Sequence, residues 1–285
     1  MSSKAQIIEH SKREAARAAV DKNVNLDVKV FGVGSGSTIV YAFERLVEMH
    51  QQGLVRKDLI CIPTSYQART LIQKSGIRCA DLDEFPNVDV TIDGGDEVDH
   101  NLNAIKGGGA AHMREKAVAK ASAKMVIVAG KIIPFVSFLF HEINMYRLCF
   151  TDFRKNSEFL GTQWTNGVPV EVIPFASEVV LQAILKLSPK SNPFSKFGVQ
   201  TDGKDMFEFD VPKVEMRAAV KKAGPVVTDN GNLILDANFG KIYNPQLLEL
   251  CLKQITGVVE VGLFSGVAKE AWFGNEDGTV SVKHV

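Results

Sequence analysis

Short apolar runs alternate with amphipathic segments through the first 130 residues. The runs have the length and composition of buried strands, and they cover residues 28–33, 59–62, 88–92 and 125–129. The segments between them have the spacing of helices, over residues 38–51, 65–74 and 113–123. Ser65 is a candidate N-cap, and Gly76 a candidate stop, for the second helix. Strands separated by crossover helices predict an α/β fold with an open parallel sheet and helices on both faces.

The second half of the chain has a different pattern. Strand-like runs lie at residues 168–173, 215–220, 232–235 and 258–263, and helix-like segments at 176–187 and 245–255. Residues 229–232, Asp-Asn-Gly-Asn, are a strong hairpin signal because Asn-Gly tolerates positive φ. Few crossovers and a tight hairpin predict a second, smaller α+β domain.

Composition and charge narrow the class of protein. The 285 residues are enough for two domains, and 33 basic against 33 acidic residues give a net charge of zero, which argues against nucleic-acid binding. The four cysteines are far apart, which excludes a zinc ribbon or a disulfide framework and fits a reducing compartment. Residues 1–20 lack a signal-peptide core, and no apolar stretch could span a bilayer. We therefore expect a cytoplasmic protein without membrane contact.

A loop rich in glycine and hydroxyl groups follows the first predicted strand. Residues 32–38 read Gly-Val-Gly-Ser-Gly-Ser-Thr and lead into a predicted helix. Glycines let backbone N–H groups approach an anion, the helix N-terminus adds its dipole, and the hydroxyl groups add donors. The loop indicates a phosphate site, with a simple helix-capping turn as the alternative. The dinucleotide fingerprint fails, because Ser37 stands at the position of its third glycine.

Carboxylates follow a later predicted strand, where residues 93–97 read Asp-Gly-Gly-Asp-Glu. Acidic side chains at the carboxyl end of a parallel strand lie where open α/β sheets bind ligands. The glycines between Asp93 and Asp96 would let both carboxylates face one cleft. A solvated polar turn and a metal site are the alternatives, although no histidine joins the cluster.

A triple glycine follows Lys106 and runs into the predicted helix that carries Glu115. Three glycines are costly in conformational entropy unless the backbone must approach something closely. A lysine and a carboxylate beside a glycine-lined cavity supply an electrophile and a base for proton transfer. A flexible linker is the alternative. His112 is a second candidate base, less favoured because histidine is common at a helix start.

Taken together, the motifs resemble those of a known family. Gly-Ser-Gly-Ser-Thr (34–38), Asp-Gly-Gly-Asp-Glu-Val (93–98), Lys-Gly-Gly-Gly-Ala (106–110), Arg-Glu-Lys (114–116), Glu-Val-Ile-Pro (171–174) and Gly-Pro-Val-Val-Thr-Asp-Asn-Gly-Asn (224–232) occur in this order. The chain thereby resembles type A ribose-5-phosphate isomerases over nearly its whole length. The resemblance implies interconversion of ribose 5-phosphate and ribulose 5-phosphate in the non-oxidative pentose phosphate pathway, through a cis-enediolate. It implies a sugar phosphate as the ligand, no metal, no organic cofactor, and a homodimer or homotetramer.

The resemblance also assigns roles to residues. Glu115 would be the general base, with Lys106, Asp93 and Asp96 around the reacting end of the sugar. The residues expected to contact substrate are Ser35, Gly36, Ser37 and Thr38 at the phosphate, and Gly94, Gly95, Gly107, Gly108, Gly109, Lys12 and Lys155 elsewhere. With the element pattern, the resemblance predicts a Rossmann-like catalytic domain, residues 1–160 with 269–285. Residues 161–268 would form a smaller ferredoxin-like α+β domain that acts as a lid or an oligomer contact.

One segment departs from the family pattern. Residues 130–151 stand between Val-Ile-Val-Ala (126–129) and Asp-Phe-Arg-Lys (152–155), which are continuous in the family. The segment is apolar and aromatic without an amphipathic period. Its first two codons can contain a GT donor, and the codons of Thr151 and Asp152 an AG acceptor, so the segment fits an in-frame retained intron. A genuine insertion, serving as a lid or an oligomer contact, is the alternative. Residues 188–209 read as a further loop.

Two other functional classes are compatible with parts of this pattern. A sugar-phosphate-sensing regulatory domain could reuse the phosphate loop without catalysis. Such a sensor would not need Glu115 with Lys106 and would normally carry a DNA-binding helix-turn-helix, which the sequence does not indicate. A nucleotide-dependent oxidoreductase is weakened by the failed fingerprint.

Overall fold

A computed structural model describes residues 4–130, 157–190, 192, 194–195, 205–275 and 277–284. Its helices are α1 (Lys4–Asn23), α2 (Ser37–Gln51), α3 (Tyr66–Ser75), α4 (His112–Ala121), α5 (Ser177–Leu185) and α6 (Pro245–Lys253). Its strands are β1 (Val30–Val33), β2 (Ile60–Pro63), β3 (Arg78–Cys79), β4 (Val88–Gly94), β5 (Glu97–Val98), β6 (Ala104–Ile105), β7 (Ser122–Gly130), β8 (Val168–Val172), β9 (Lys213–Met216), β10 (Leu233–Asn238), β11 (Val258–Val261), β12 (Leu263–Phe264), β13 (Glu270–Gly274) and β14 (Val280–His284). Within these residues, no helix combines the length and the apolar character needed to cross a membrane.

Seven strands form the large sheet, in the order β14-β13-β7-β4-β1-β2-β3. Neighbouring strands are parallel except β13 and β14, which form an antiparallel edge. The strand order is doubly wound, because the chain proceeds outward from β1 in one direction to β3 and in the other through β4. In such sheets ligands bind beyond the carboxyl ends of the strands, at the point where the winding reverses. That point lies between β1 and β4.

Alternate side chains of the central strands enter different cores. On β1, Phe31 and Val33 pack with α1, α2 and α3, whereas Val30 packs with Val118 of α4 on the opposite face. Both faces of β1 and β2 are therefore buried, which explains why these strands are continuous apolar runs. The prediction of an open parallel sheet with helices on both faces is confirmed.

The second unit follows the chain order β8-α5-β9-β10-α6-β11, and its antiparallel sheet has the order β11-β8-β10-β9. This is the ferredoxin-like arrangement. Its core is made by side chains of the sheet and of both helices, among them Val170, Leu235 and Leu248. The predicted Asn-Gly turn closes with a hydrogen bond from the Thr228 N–H to the Asn232 carbonyl.

Several element ends differ from the sequence prediction. The apolar spacing predicts that α4 continues to residue 123. In the structure the helix ends at Ala121, because Ser122 already pairs with Val88 in the large sheet. β9 ends at Met216 rather than at residue 220, and Val220 is 97% exposed. Beyond β9, a turn closed by a hydrogen bond between residues 219 and 224 replaces the strand predicted to continue to residue 220. Ser65 does cap α3, and Gly76 ends it in the left-handed conformation.

The apolar run at residues 258–263 divides between two sheets. β11 belongs to the small antiparallel sheet, whereas β12 pairs with β6 in a three-stranded sheet, β12-β6-β5. Between them, Gly262 donates its N–H to the Pro169 carbonyl at 2.6 Å and accepts the Lys106 N–H at 2.8 Å. The prediction of a single strand was therefore wrong, because two different hydrogen-bonding partners meet at Gly262.

Candidate active site

Three loops meet where the winding of the large sheet reverses. They lie at the carboxyl ends of β1, β4 and β6 and comprise residues 34–38, 93–96 and 106–110, which include the last two residues of β4 and the first two of α2. The first two loops are joined by a hydrogen bond from the Ser35 N–H to Asp93 Oδ1, at 2.9 Å. The second and third are joined by a hydrogen bond from the Lys106 ammonium to the Gly94 carbonyl. The candidate residues of three separate sequence motifs are thus in one place.

The loop at residues 34–38 presents hydroxyl and N–H groups at the start of α2. Ser35 Oγ lies 2.9 Å from Thr64 Oγ1 and 2.7 Å from Ser65 Oγ, so hydroxyl groups of two neighbouring loops cluster here. Gly36 has a φ of +98°, and its N–H donates to Gln67 Oε1 at 2.9 Å. Because the helix dipole adds to these donors, the loop suits an anion such as phosphate.

Lys12 brings a positive charge to the same loop. Its side chain is buried, and Nζ lies 3.3 Å from Ser37 Oγ and 2.9 Å from Glu9 Oε1. The ammonium comes from α1, which packs along α2 and the large sheet. The prediction that Lys12 contacts substrate came from the family resemblance alone. The structure places its ammonium in contact with the loop at residues 34–38.

Sequence reasoning missed Thr64, Ser65 and Gln67. These residues follow β2, the strand next to β1, so their side chains reach the same end of the sheet. Ser65 was interpreted only as a helix cap, and it does cap α3, but its hydroxyl also bonds Ser35. The available signal was their position after the next parallel strand, because carboxyl ends of parallel strands share one edge.

Asp93 is completely buried between the first and third loops. Its Oδ1 accepts the N–H groups of Ser35 and Gly94, at 2.9 and 2.7 Å, and its Oδ2 lies 3.1 Å from Lys106 Nζ. A β-carbon on Gly34 would lie 2.2 Å from Asp93 Oδ1, so any side chain at Gly34 would displace this carboxylate.

Lys106 lies between two carboxylates. Its Nζ is 3.1 Å from Asp93 Oδ2 and 3.2 Å from Glu115 Oε2, and all three side chains are almost fully buried. The ring of Phe264 lies 5.3 Å from this ammonium and 4.9 Å from that of Lys116. Among the described residues, Asp93 Oδ2 and Glu115 Oε2 have no hydrogen-bond donor aligned on them. Each of these oxygens faces the Lys106 ammonium, at 3.1 and 3.2 Å, and could also accept a proton or a hydroxyl group.

The burial of this cluster changes the proton affinities of its members. Burial, together with the charges of Asp93 and Asp96, raises the pKa of Glu115 well above its usual range, although Lys106 opposes the shift. Burial alone would lower the pKa of Lys106, but the charges of Asp93 and Glu115 outweigh it and raise that pKa. Lys106 therefore stays charged, while Glu115 has the higher proton affinity that suits a general base near neutral pH.

Asp96 lies at the edge of the cluster and holds the glycine turn. Its Oδ2 accepts the Gly108 N–H at 2.7 Å. Gly107 has a φ of +108°, and a β-carbon there would lie 2.7 Å from His112 Nδ1, so only glycine fits. The turn therefore presents bare backbone beside Lys106. At Gly109, no atom of the described residues other than its chain neighbours lies within 4 Å of the position of a β-carbon.

His112 and Glu97 have contacts away from this cluster. His112 Nε2 lies 3.2 Å from the Glu260 carbonyl, and burial lowers the pKa of the imidazole to about 3, so it is neutral. Glu97 is fully buried and accepts hydrogen bonds from residues 157–164, at distances between 2.6 and 3.3 Å. These contacts favour a structural role for both residues.

The structure brings together most of the predicted site residues. Those at the meeting point of the loops are Lys12, Ser35, Gly36, Ser37, Thr38, Asp93, Gly94, Gly95, Asp96, Lys106, Gly107, Gly108, Gly109 and Glu115. Lys155 lies outside the described residues, as do residues 131–151. Within the described residues, no group of three or more His, Cys, Asp or Glu side chains is arranged to hold a metal ion.

Comparisons with known proteins agree with one another. The family model described as ribose 5-phosphate isomerase A (phosphoriboisomerase A) matches residues 60–132 and 144–278. The ribose-5-phosphate isomerase of Cryptococcus neoformans var. neoformans is 43% identical over 97% of this chain and 80% of its own length. The structure of ribose 5-phosphate isomerase from Plasmodium falciparum is 30% identical, with a TM-score of 0.76 over 97% of this chain and 99% of that chain. A D-ribose-5-phosphate isomerase in complex with phospho-erythronic acid is 32% identical, with a TM-score of 0.75 over 98% and 99% of the two chains.

Proposed function

The chain belongs to the ribose 5-phosphate isomerase A family, and from this premise we propose that Glu115, Lys106, Asp93 and Asp96 carry its chemistry. The reaction is an aldose–ketose isomerisation that interconverts D-ribose 5-phosphate and D-ribulose 5-phosphate. One observation carries the residue assignment. The Lys106 ammonium lies within 3.2 Å of one buried oxygen on Asp93 and one on Glu115.

The isomerisation moves one proton between C2 and C1 and another between the two oxygens, through a cis-enediolate. One base can serve both carbons if it stays on one face of the intermediate. Glu115 suits this task because its Oε2 has no aligned hydrogen-bond donor among the described residues, so a lone pair is available. Its raised pKa also brings its proton affinity closer to the operating pH.

Lys106 stabilises the negative charge that develops on the sugar oxygen as the proton leaves carbon. Its ammonium is already fixed by the Gly94 carbonyl and two carboxylates, so it need not reorganise during the reaction. Asp93 and Asp96 accept hydrogen bonds from sugar hydroxyl groups and assist opening of the cyclic form. Asp93 Oδ2 is the oxygen available for this, since Oδ1 already accepts two N–H groups.

The phosphate binds at the opposite end of the site, against residues 34–38 and Lys12. Backbone N–H groups, serine hydroxyl groups, the N-terminus of α2 and a buried ammonium all favour a dianion there. Holding the phosphate positions the reacting end of the sugar beside Glu115, so that the binding energy of the inert end is used for orientation.

A direct assay tests this function. Purified protein should convert ribose 5-phosphate to ribulose 5-phosphate with EDTA present, and NADH should not bind. Binding of ribose 5-phosphate without turnover would favour the sugar-phosphate sensor instead. Saturable NADH binding would favour the oxidoreductase.

Gly36→Val is expected to raise the KM for ribose 5-phosphate by about tenfold, with a smaller effect on kcat. Valine adopts a φ of +98° only under strain, and relief of that strain would displace the loop backbone that leads into α2 and forms the phosphate site. Strain is the cause rather than crowding, because no atom of the described residues, apart from Gly36 and its two chain neighbours, lies within 4 Å of the position of the β-carbon. Gly53→Val, at an equally open position with a φ of +71°, is the matched control. Equal turnover of ribose and ribose 5-phosphate by the wild type would contradict the phosphate assignment.

Residues 130–151 are proposed to be a retained intron rather than part of the working enzyme. The family model matches residues 130–132 and 144–151 of this segment and leaves 133–143 unmatched, which supports extra residues here under either reading. The chain lacking residues 130–151 should be more soluble and more active, because Lys155 would follow β7 closely. The first measurement is the sequence of the coding DNA at the two junctions. Absence of GT at the first junction or of AG at the second would rule out a retained intron. Better stability and activity of the full-length chain would show that the segment is a genuine insertion.

The larger organisation is also a proposal. The two domains proposed are residues 1–160 with 269–285, and residues 161–268. Support comes from β13 and β14, which complete the large sheet, and from β8 to β11, which form a sheet of their own. We propose a cytoplasmic homodimer or homotetramer, and sedimentation equilibrium of the purified protein would distinguish these two states from a monomer.

A further inference from the structure

Arg217 extends from the small antiparallel sheet to the glycine turn of the active site. It follows β9 directly, and its Nε and Nη2 bind the two carboxylate oxygens of Asp236 on β10, at 2.8 and 2.5 Å. Its Nη1 donates to the carbonyl groups of Gly107 and Gly108, at 2.8 and 3.2 Å. One guanidinium therefore joins the second unit of the fold to the loop that follows Lys106.

These contacts fix the direction of two peptide groups. In a planar trans peptide, the carbonyl and the N–H of the next residue point in opposite directions. Because the Gly107 carbonyl faces Arg217, the Gly108 N–H faces away from it, and that N–H does bind Asp96 Oδ2 at 2.7 Å. By the same geometry, the Gly108 carbonyl on Arg217 directs the Gly109 N–H away from the guanidinium.

A guanidinium can hold Asp236 and orient two glycine carbonyl groups at the same time, which an ammonium cannot. Its planar fork can hold a carboxylate with two nitrogens and still direct a third toward other acceptors. The pair is also mostly shielded from water, with side-chain exposures of 14% for Arg217 and 18% for Asp236, so its geometry is well defined. A lysine at this position could not bind Asp236 bidentately and reach both glycine carbonyl groups.

We propose that Arg217, oriented by Asp236, is a positioning residue for the isomerase reaction. It turns the Gly107–Gly108 peptide so that the Gly108 N–H holds the Asp96 carboxylate, and it turns the Gly108–Gly109 peptide so that the Gly109 N–H faces the reacting end of the sugar, next to Lys106. The small sheet thereby takes part in building the active site. This inference rests on the proposed function, and it adds a residue that does not touch the substrate.

Arg217→Lys tests the proposal and is expected to lower kcat by about 10–100-fold, the effect of a small misplacement of catalytic groups. Inhibition by phospho-erythronic acid, which carries a planar carboxylate as well as a phosphate, should weaken in the same variant. Inhibition by inorganic phosphate should not change, because phosphate binds at residues 34–38. Asp236→Asn should change the same quantities in the same direction, and by less. Arg56→Lys, which alters an exposed bidentate pair with Asp58, is the matched control.

Several outcomes would overturn the inference. One is an unchanged kcat in a folded Arg217→Lys variant. Another is a loss of inorganic phosphate binding in that variant as large as its loss of phospho-erythronic acid binding. A third is failure of both the Arg217 and the Asp236 variants to fold, which would assign the pair a purely structural role. Thermal melting of each variant separates these cases. Absence of turnover in the wild type would instead refute the proposed function, so the two failures are distinguishable.

Discussion

Glu115→Gln is expected to lower kcat by about 10²–10⁴-fold, the usual effect of losing a general base. The amide keeps the shape of the side chain but cannot take a proton from carbon. KM should change little, because the phosphate contacts at residues 34–38 and Lys12 remain. Exchange of the C2 hydrogen of bound substrate with deuterated water should also stop, and NMR can follow it directly.

The control for this variant is Glu249→Gln, which removes a carboxylate paired with Lys116 on the other side of α4. That change should leave C2 exchange intact. Exchange at a near wild-type rate in Glu115→Gln would place the base elsewhere, and His112→Gln would then be tested. The lowered pKa of His112, about 3, and its contact with the Glu260 carbonyl make that result unexpected.

Lys106→Met is expected to lower kcat by about 10²–10³-fold, comparable to removing a preorganised oxyanion donor. The change also leaves Asp93 and Glu115 buried without their shared cation. Since Lys106 lowers the proton affinity of Glu115, its loss should raise the pKa of that carboxyl further. Glu115 acts when deprotonated, so the acidic limb of the pH profile of kcat/KM should move to higher pH.

Lys116→Met is the matched control, because it removes a second buried ammonium that lies over the same Phe264 ring but pairs with Glu249 and Glu260. The acidic limb of the pH profile of kcat/KM for Lys116→Met should lie at the same pH as in the wild type. An acidic limb that is unchanged in Lys106→Met, or that moves to lower pH, would show that this lysine does not interact with the base.

Local sequence patterns were enough to predict much of this site. Glycines next to serines, aspartates or lysine mark places where backbone must turn closely around a ligand. The serine and aspartate motifs directly follow strands of the parallel sheet, which brings them together, whereas Lys106 follows β6 of the three-stranded antiparallel sheet. The ends of α3 follow equally local rules, since Ser65 and Gly76 have clear capping chemistry.

Other features depend on contacts between distant parts of the chain, which no local pattern encodes. Asp93 and Glu97 look alike in the sequence, yet one faces Lys106 and the other binds residues 157–164. Arg217 lies 110 positions from Gly107 along the chain, and its role appears only when the two sheets are seen together. For the same reason, the hydroxyl groups of Thr64 and Ser65 gave no sign of their proximity to Ser35.

The hydrogen bond from the Ser35 N–H to Asp93 has a thermodynamic consequence for substrate choice. It links a residue of the proposed phosphate site to a carboxylate proposed to face the sugar, so the two halves of the proposed site are not energetically independent. Linkage is reciprocal: whatever a bound dianion does to the affinity of Asp93 for a sugar hydroxyl group, binding of that hydroxyl group does equally to the affinity for the dianion. Discrimination against sugars that lack a phosphate is therefore expected in the turnover step as well as in binding, because binding of the inert end of the substrate helps to position the carboxylate at the reacting end.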